Sequence, residues 1–470
     1  MTRRAALCTA AALPTALATP ALASPALAPE PAPKAGTDRP LFGAVTWTLA
    51  NGLCVVLAES RRVPVAAHYL FYAAGAGEDP HGRSGLAHFL EHMMFKGSRN
   101  VAPGAFSLAV AREGGQDNAF TSRDVTAYHQ HVEASRLALV MRMEADRFAA
   151  PLIPADQVEP ERAVVLEERR QRTDSNPRAR FFEAFAAALW GPQHWHGRPV
   201  IGWEDEIRAI TREDMLGFYE RRYAPANAVL IVAGDVREAT LRRLAEEFYA
   251  PVPARPAAAR DRAPPPATAR EPRLIHHDPS VREAVFLRSF VAPSLTWAPQ
   301  GDTGQAWALE LVAHLLGSGP GSRLYRALVE TGLATGAGCS YDGEVAGAGS
   351  LGINATLRPG IAPERLEAAV DAVLEDLLQH GPTEAERERA IRQITAGALL
   401  TLDSLGGVPR LLGSVLSIGL PLDLAEFWPR RLHAVTLAQI ADAARDVVGR
   451  APHTTGWLLP GTPARTGSPA

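Results

Sequence analysis

The chain is 470 residues long, 47% hydrophobic and 21% charged, a composition that fills one large core or two of medium size. Its 48 Lys and Arg face 51 Asp and Glu, a formal charge of -3, which leaves no cationic excess to neutralise a phosphate backbone and excludes nucleic acid as a main partner. Three cysteines build neither a disulfide scaffold nor a four-thiolate zinc site, so any metal ligands must be histidine and carboxylate.

In chain order, Arg3 and Arg4, an apolar run and the small residues Ala21 and Ala23 read as an export signal over residues 1–23, cleaved near Ala23. The expected destination is the periplasm or the exterior, by the general or the twin-arginine route. Residues 24–40, rich in proline, read as a disordered lead-in, and residues 460–470 as a similar tail. No later stretch offers the roughly 20 apolar residues of a membrane span. Pro251, Pro253, Pro256, Pro264, Pro265, Pro266 and Pro272 mark a linker over 251–272, which divides the chain into domains at 41–250 and 273–459. The two repeat one plan. Strand-like runs at Val65–Tyr72 and Ala284–Val291 are each followed by a helical pattern, at 85–95 and 305–316. Later, Thr211 with Asp214 and Thr436 with Gln439 have the spacing of capping boxes that open amphipathic helices, and Thr383 with Glu386 has it too.

The first of those helices carries the chemistry: Gly85-Leu-Ala-His88-Phe-Leu-Glu91-His92-Met-Met-Phe95-Lys96-Gly97. Helical geometry puts His88 and His92 about 40° and about 6 Å apart on one face, where two imidazoles can share a cation. Glu91 lies about 60° to the other side, within reach of a water on that cation. The pattern is the inverted zinc-peptidase motif. A chain with 14 His and 51 acidic residues contains it by chance about 0.05 times. A catalytic zinc needs a third protein ligand. The helical segment from Pro154 to Thr173 offers Glu159, Glu161, Glu167 and Glu168, of which Glu161 and Glu168 share a face. Spacing alone does not choose between its faces, and a solvated charge-rich helix is the simpler reading of these residues.

The zinc helix motif, Gly114-Gly115-Gln-Asp-Asn118-Ala119-Phe120-Thr121-Ser122 with Thr126-Ala-Tyr128, Glu161-Arg-Ala-Val-Val-Leu-Glu-Glu168, Pro199-Val-Ile-Gly202 and Tyr223-Ala-Pro225-Ala-Asn227 together resemble the pitrilysin/insulinase family of zinc metallopeptidases. The resemblance is to its short bacterial processing-peptidase-like members and runs from about Phe42 to Val448. It implies an α/β (α+β) fold of two homologous domains, each a mainly antiparallel sheet packed with helices. It also implies one zinc per chain held by His88, His92 and Glu168, with Glu161 orienting the site from behind. Glu91 is then the base that activates a zinc-bound water. Asn118, Ala119, Phe120 and Thr121 correspond to an edge strand that takes an extended peptide as an added strand.

In the second half, Gly321-Ser322-Arg323-Leu324-Tyr325-Arg326 and Gly332-Leu333-Ala334-Thr335 continue the match without a second zinc motif, and His314 stands alone on its helix. Where many family members carry an Arg and a Tyr that hold substrate, this chain has Val329 and Thr335. That departure resembles family members that pair a zinc-bearing subunit with a zinc-less one. The expected partner besides the peptide is therefore a zinc-less homologue carrying the Arg/Tyr pair, a homodimer being the alternative, with Tyr341 a possible local substitute. The competing functional reading is a non-catalytic assembly or chaperone-like subunit of the same fold. His276-His277-Asp278 does not converge, because neighbours on a strand point to opposite faces. His194 and His196 read as a surface or substrate-rim feature, and Cys54 and Cys339 as buried free thiols.

Overall fold

The run Val65–Tyr72 lacks the polar alternation of a half-buried strand, and a strand of that kind needs cover on both faces. In the computed structural model it becomes a central strand, buried along almost its whole length. The structure describes residues 39–401 and 404–461; the expected export signal, all but the last two residues of the lead-in, and the tail beyond 461 lie outside the described residues.

The first half builds one sheet from β1 (Val45–Thr48), β2 (Cys54–Glu59), β3 (Val65–Tyr72), β4 (Gln116–Thr121), β5 (Thr126–Glu133) and β6 (Ala228–Gly234), in the spatial order β1-β2-β6-β3-β5-β4. The second half builds another from β7 (Arg273–Asp278), β8 (Val285–Ala292), β9 (Ala334–Asp342), β10 (Gly349–Leu357) and β11 (His453–Pro460), in the order β7-β11-β8-β10-β9. Leaving β1 aside, the two orders match strand for strand. In each, only one pair is parallel, β2 with β6 and β7 with β11, and every other pairing is antiparallel. This is the mixed, mainly antiparallel and duplicated architecture expected from the sequence.

The helices repeat as well. The first half has α1 (Leu86–Met93), α2 (Ala105–Arg112), α3 (Leu137–Ala149), α4 (Ala155–Arg169), α5 (Pro177–Trp190), α6 (Glu204–Ala209), α7 (Arg212–Arg222) and α8 (Glu238–Phe248). The second has α9 (Gln305–Gly317), α10 (Pro363–His380), α11 (Glu384–Thr401), α12 (Gly407–Ser417), α13 (Leu422–Ala434) and α14 (Leu437–Val448). The capping boxes close where the sequence places them: Thr211 Oγ1 accepts from the Asp214 N–H at 3.1 Å and Thr436 Oγ1 from the Gln439 N–H at 3.3 Å, opening α7 and α14.

One face of each sheet packs on its own helices. Leu70, Tyr72, Phe89, Tyr128 and Phe148 lie in the first core, and Phe286, Leu309, Leu316 and Trp457 in the second. The opposite faces are covered reciprocally. The third helix after β10, α12, lays Leu412 and Val415 on Tyr69, Phe71, Val229 and Ile231 of the first sheet. The third helix after β5, α5, lays Phe181 and Phe185 on Val285, Leu287 and Leu458 of the second. The two halves thus interlock. The approach of α12 requires glycine at 413, since a Cβ there would lie 2.2 Å from the Phe71 ring. Residues 251–272 form neither helix nor strand, and among the described residues no single helix is long and apolar enough to cross a membrane.

Candidate metal centre

The helix that carries the zinc motif starts in a tight corner. Gly85 has φ +87°, and a Cβ there would lie 2.4 Å from the Ile201 carbonyl oxygen, so the segment matched by Pro199-Val-Ile-Gly202 crosses directly over the helix start. With no side-chain cap at position 85, the free N–H groups are taken by Asp79, whose carboxylate accepts from Gly85 at 2.8 Å and Ala87 at 2.9 Å. Asp79 lies too far ahead of the helix to be recognised as its cap by spacing, and sequence reasoning missed it.

On α1 the rings of His88 and His92 stand with centroids 4.8 Å apart. Glu168, near the end of α4, turns Oε2 toward both: it is 3.6 Å from His88 Nε2 and 3.3 Å from His92 Nε2. A ligand atom from each of the three residues lies within 4.8 Å of the others. After Arg169 the helix widens into a π-helical turn over Arg170–Asp174, and Arg172 from that turn ion-pairs with Glu168 Oε1 at 2.6 Å. Glu168 Oε2 is buried with no hydrogen-bond partner. Two imidazole nitrogens and an orphaned carboxylate oxygen on one point are the three-ligand donor set of a catalytic zinc, so the residues present fit the ion.

Glu161, about two turns before Glu168 on α4, accepts from His92 Nδ1 at 3.0 Å and ion-pairs with Lys96 through its other oxygen. This leaves Nε2 of His92 as the free donor atom. Burial works against a charged His92, but Glu161 and Glu168 outweigh it and raise its pKa to about 9. Burial and then the neighbouring His92 push His88 down to about 4. Burial also opposes ionisation of Glu168, yet His92, His88 and Arg172 bring its carboxyl down to about 2. The remaining acids of α4 stay out of the site: Glu159 pairs with Arg162, and Glu167 is exposed and pairs with Arg170 and Gln171.

Glu91 is 9% exposed, and burial pushes its carboxyl up. It is held by Thr121, whose hydroxyl donates to Glu91 Oε2 at 2.5 Å. Thr121 ends β4, which is the outer strand of the first sheet and pairs on one side only, with β5. Strand alternation separates the four named β4 residues. Ala119 packs toward the first core and Thr121 toward Glu91. Phe120 faces the other side of the sheet, edge-on to Phe71 and beneath the Arg410 guanidinium. Asn118 and Thr121 therefore do not act from one face, and Asn118 Oδ1 accepts the N–H of Ala119 at 2.9 Å.

Of the other side chains named from the sequence, His196 departs from its reading. His196 is no rim residue: it is buried, stacked on Trp190 and tilted against Trp195, and its Nε2 meets the Ala348 carbonyl of the second half at 2.6 Å. Tyr341 donates its hydroxyl to the Pro293 carbonyl at 2.5 Å. Thr335 donates to the Thr356 carbonyl, while Val329 packs on the second core. His314 sits 3.8 Å from Glu310 with no further metal-binding set around it among the described residues. Cys54 and Cys339 are free and half-buried.

Residues 54–200 match the model described as insulinase, peptidase family M16, and residues 209–394 the one described as the peptidase M16 inactive domain. An uncharacterized zinc protease of Mycobacterium leprae is 32% identical over 414 residues, which cover 87% of this chain and 90% of that protein. The chain belongs to the M16 family of peptidases. Within M16, the mitochondrial-processing peptidase subunit beta of Lentinula edodes is 28% identical over 78% of this chain and 79% of its own. Among solved structures, a protease from Helicobacter pylori superposes with a TM-score of 0.81 at 26% identity, covering 90% of this chain and all of that one. The histidine pair and Glu168 lie in the part matched as insulinase, and the part matched as the inactive domain holds no such set among the described residues.

Proposed function

We propose that this chain is a zinc-dependent endopeptidase that hydrolyses peptide bonds in extended peptides or unfolded segments. The observation that carries the reading is the convergence of His88 Nε2, His92 Nε2 and the orphaned Glu168 Oε2 on the same helix face that presents Glu91 to the edge strand. One zinc per chain, held by those three residues with Glu161 behind His92, would supply Lewis acidity toward water and the scissile carbonyl. The chain's own part is proton transfer and positioning. Glu91, whose carboxyl is pushed up by burial, takes a proton from the attacking water as the water oxygen bonds to the carbonyl carbon. It returns that proton to the departing amide nitrogen as the C–N bond breaks. The free edge of β4, with Asn118, Ala119, Phe120 and Thr121, binds the peptide backbone as an added strand, which accounts for cleavage with modest sequence selectivity.

The domains 41–250 and 273–459 play unequal parts in this reading, the first holding the metal. Since Val329 and Thr335 stand where many family members carry Arg and Tyr, and Tyr341 is already engaged, the working enzyme is a heterodimer with a zinc-less homologue that supplies the pair. The subunit relationship named in the processing-peptidase relative supports that arrangement. Export to the periplasm or exterior, with removal of residues 1–23, completes the proposal; N-terminal sequencing of the chain from cell fractions tests it. The decisive experiment for the function is Glu91→Gln, which is expected to keep zinc but lose turnover on unfolded peptides. Equal turnover by the variant and the wild type would sink the reading.

A further inference from the structure

The Pro/Ala/Arg-rich segment 251–272 carries no motif, yet one of its side chains is fully bonded. The Arg262 side chain is 6% exposed, and all five N–H groups of its guanidinium have acceptors. Nε and Nη2 donate to Glu78 Oε1 at 3.0 and 2.7 Å, and Nη2 also to the Arg123 carbonyl at 3.0 Å. Nη1 donates to Asp124 Oδ1 and to the Ala346 carbonyl, the latter at 2.9 Å. The guanidinium lies over the Trp195 ring, 4.4 Å from its centroid. Arg260 adds bonds to Asp124 Oδ1 at 3.1 Å, the Asp124 carbonyl at 3.0 Å and the Ser417 carbonyl at 2.7 Å.

These acceptors come from three parts of the molecule. Glu78 adjoins Asp79, which holds the first N–H groups of α1. Arg123 and Asp124 form the turn that follows Thr121 at the end of β4. Ala346 and Ser417 belong to the second half, and the Ala346 N–H itself donates to Asp124 Oδ1 at 3.2 Å. The turn is bound from the other side too, since the N–H groups of Ala76 and Gly77 donate to the carbonyls of Ser122 and Arg123. A buried guanidinium shared between two carboxylates and two carbonyls fixes all of them in one plane, which a lysine with three donors on a flexible stem does not reproduce.

We infer that Arg262, assisted by Arg260, is a positioning residue: the linker clamps the lead-in to the metal helix and the end of the edge strand to the second half, and so sets how Thr121 meets Glu91. The effect on catalysis rests on the peptidase reading; the clamp itself does not.

The test uses the full chain loaded with zinc, as wild type and as Arg262→Ala, Arg262→Lys and Arg255→Ala, the last removing a linker arginine that bonds the carbonyls of Glu220 and Tyr223 and lies over the Tyr219 ring, away from Glu78 and Asp124. Amide hydrogen exchange is followed well below the melting temperature. In Arg262→Ala, exchange over 85–92 and 116–126 is expected to rise at least tenfold while β8 and β11 keep their protection. Arg262→Lys should fall between, and Arg255→Ala should match the wild type. In the peptide assay kcat should drop about tenfold in Arg262→Ala at an unchanged KM and zinc content, with partial recovery in Arg262→Lys. Wild-type exchange in both segments, or a rise spread evenly over both halves, overturns the clamp. If Arg262→Ala does not fold, Arg262→Lys and Glu78→Gln carry the same comparison. A wild type that cleaves no peptide defeats the peptidase reading alone, because the exchange measurements still decide the clamp.

Discussion

Thr121 on the edge strand and Glu91 on the metal helix share a 2.5 Å hydrogen bond, so the strand proposed to receive the peptide is fastened to the group proposed to move its protons. A hydroxyl donating to a carboxylate favours the ionised form, and Thr121 is the leading influence that opposes the upward push of burial on Glu91. Thr121→Val keeps the shape and removes the donor. The Glu91 pKa then rises, so the acid limb of the pH profile of kcat/KM should move to higher pH, with kcat at neutral pH falling about tenfold and zinc retained. A profile that stays in place would show that this bond does not tune the base.

Glu161 holds His92 through Nδ1 while Lys96 holds Glu161. Glu161→Gln should weaken zinc binding about 10–100-fold, as loss of a carboxylate behind a ligating histidine does. Competition with a chromogenic chelator measures it, and affinity equal to the wild type would count against Glu161 as the orienting group.

Gly413 against Phe71 is where the second half closes over the first sheet. Gly413→Ala should destabilise the chain by about 1–3 kcal/mol, because buried ring and helix must part to admit the methyl group. Phe71→Leu in the same chain should recover part of that loss; thermal unfolding of the single and double variants tests both statements.

Acid stability has a local source in Glu386, which caps α11 with Thr383 and receives Arg323 at 2.8 Å from both Nε and Nη2. Burial opposes ionisation, but Arg323 and the Thr383 N–H hold the carboxyl down at about 2. A folded pKa below the unfolded value of about 4.5 means stability that is fully present above that pH and lost as pH falls toward about 2. Glu386→Gln should therefore remove about 1–2 kcal/mol at neutral pH, after allowance for solvent screening, and flatten the stability curve between those limits. Denaturant melts at pH 7, 4 and 3 would reveal it.

Much of this was legible in the sequence because it depends on local geometry. The spacing of His88, Glu91 and His92 places two imidazoles on one side of a single turn whatever surrounds the helix, and Thr211 with Asp214 closes a capping box within four residues. The unbroken apolar run of β6 and the mostly apolar run of β3 likewise required cover on both faces. The source of that cover was not legible, since α12 reaches the first sheet from the far half of the chain and α5 the second sheet from the near one.

The sequence by itself determined the helix-borne part of the centre, the duplicated strand plan and the restriction of ligands to histidine and carboxylate, since these follow from period, composition and short-range bonding. Spacing did not choose a face of α4, and only the family resemblance pointed to Glu168, which the fold turns inward; tertiary structure alone decided that Asp79 caps the metal helix, that His196 is buried against the second half, and that a proline-rich linker supplies a saturated arginine. Each of those outcomes depends on which distant groups arrive within about 3 Å of a donor or acceptor, a matter of chain closure that no local pattern encodes.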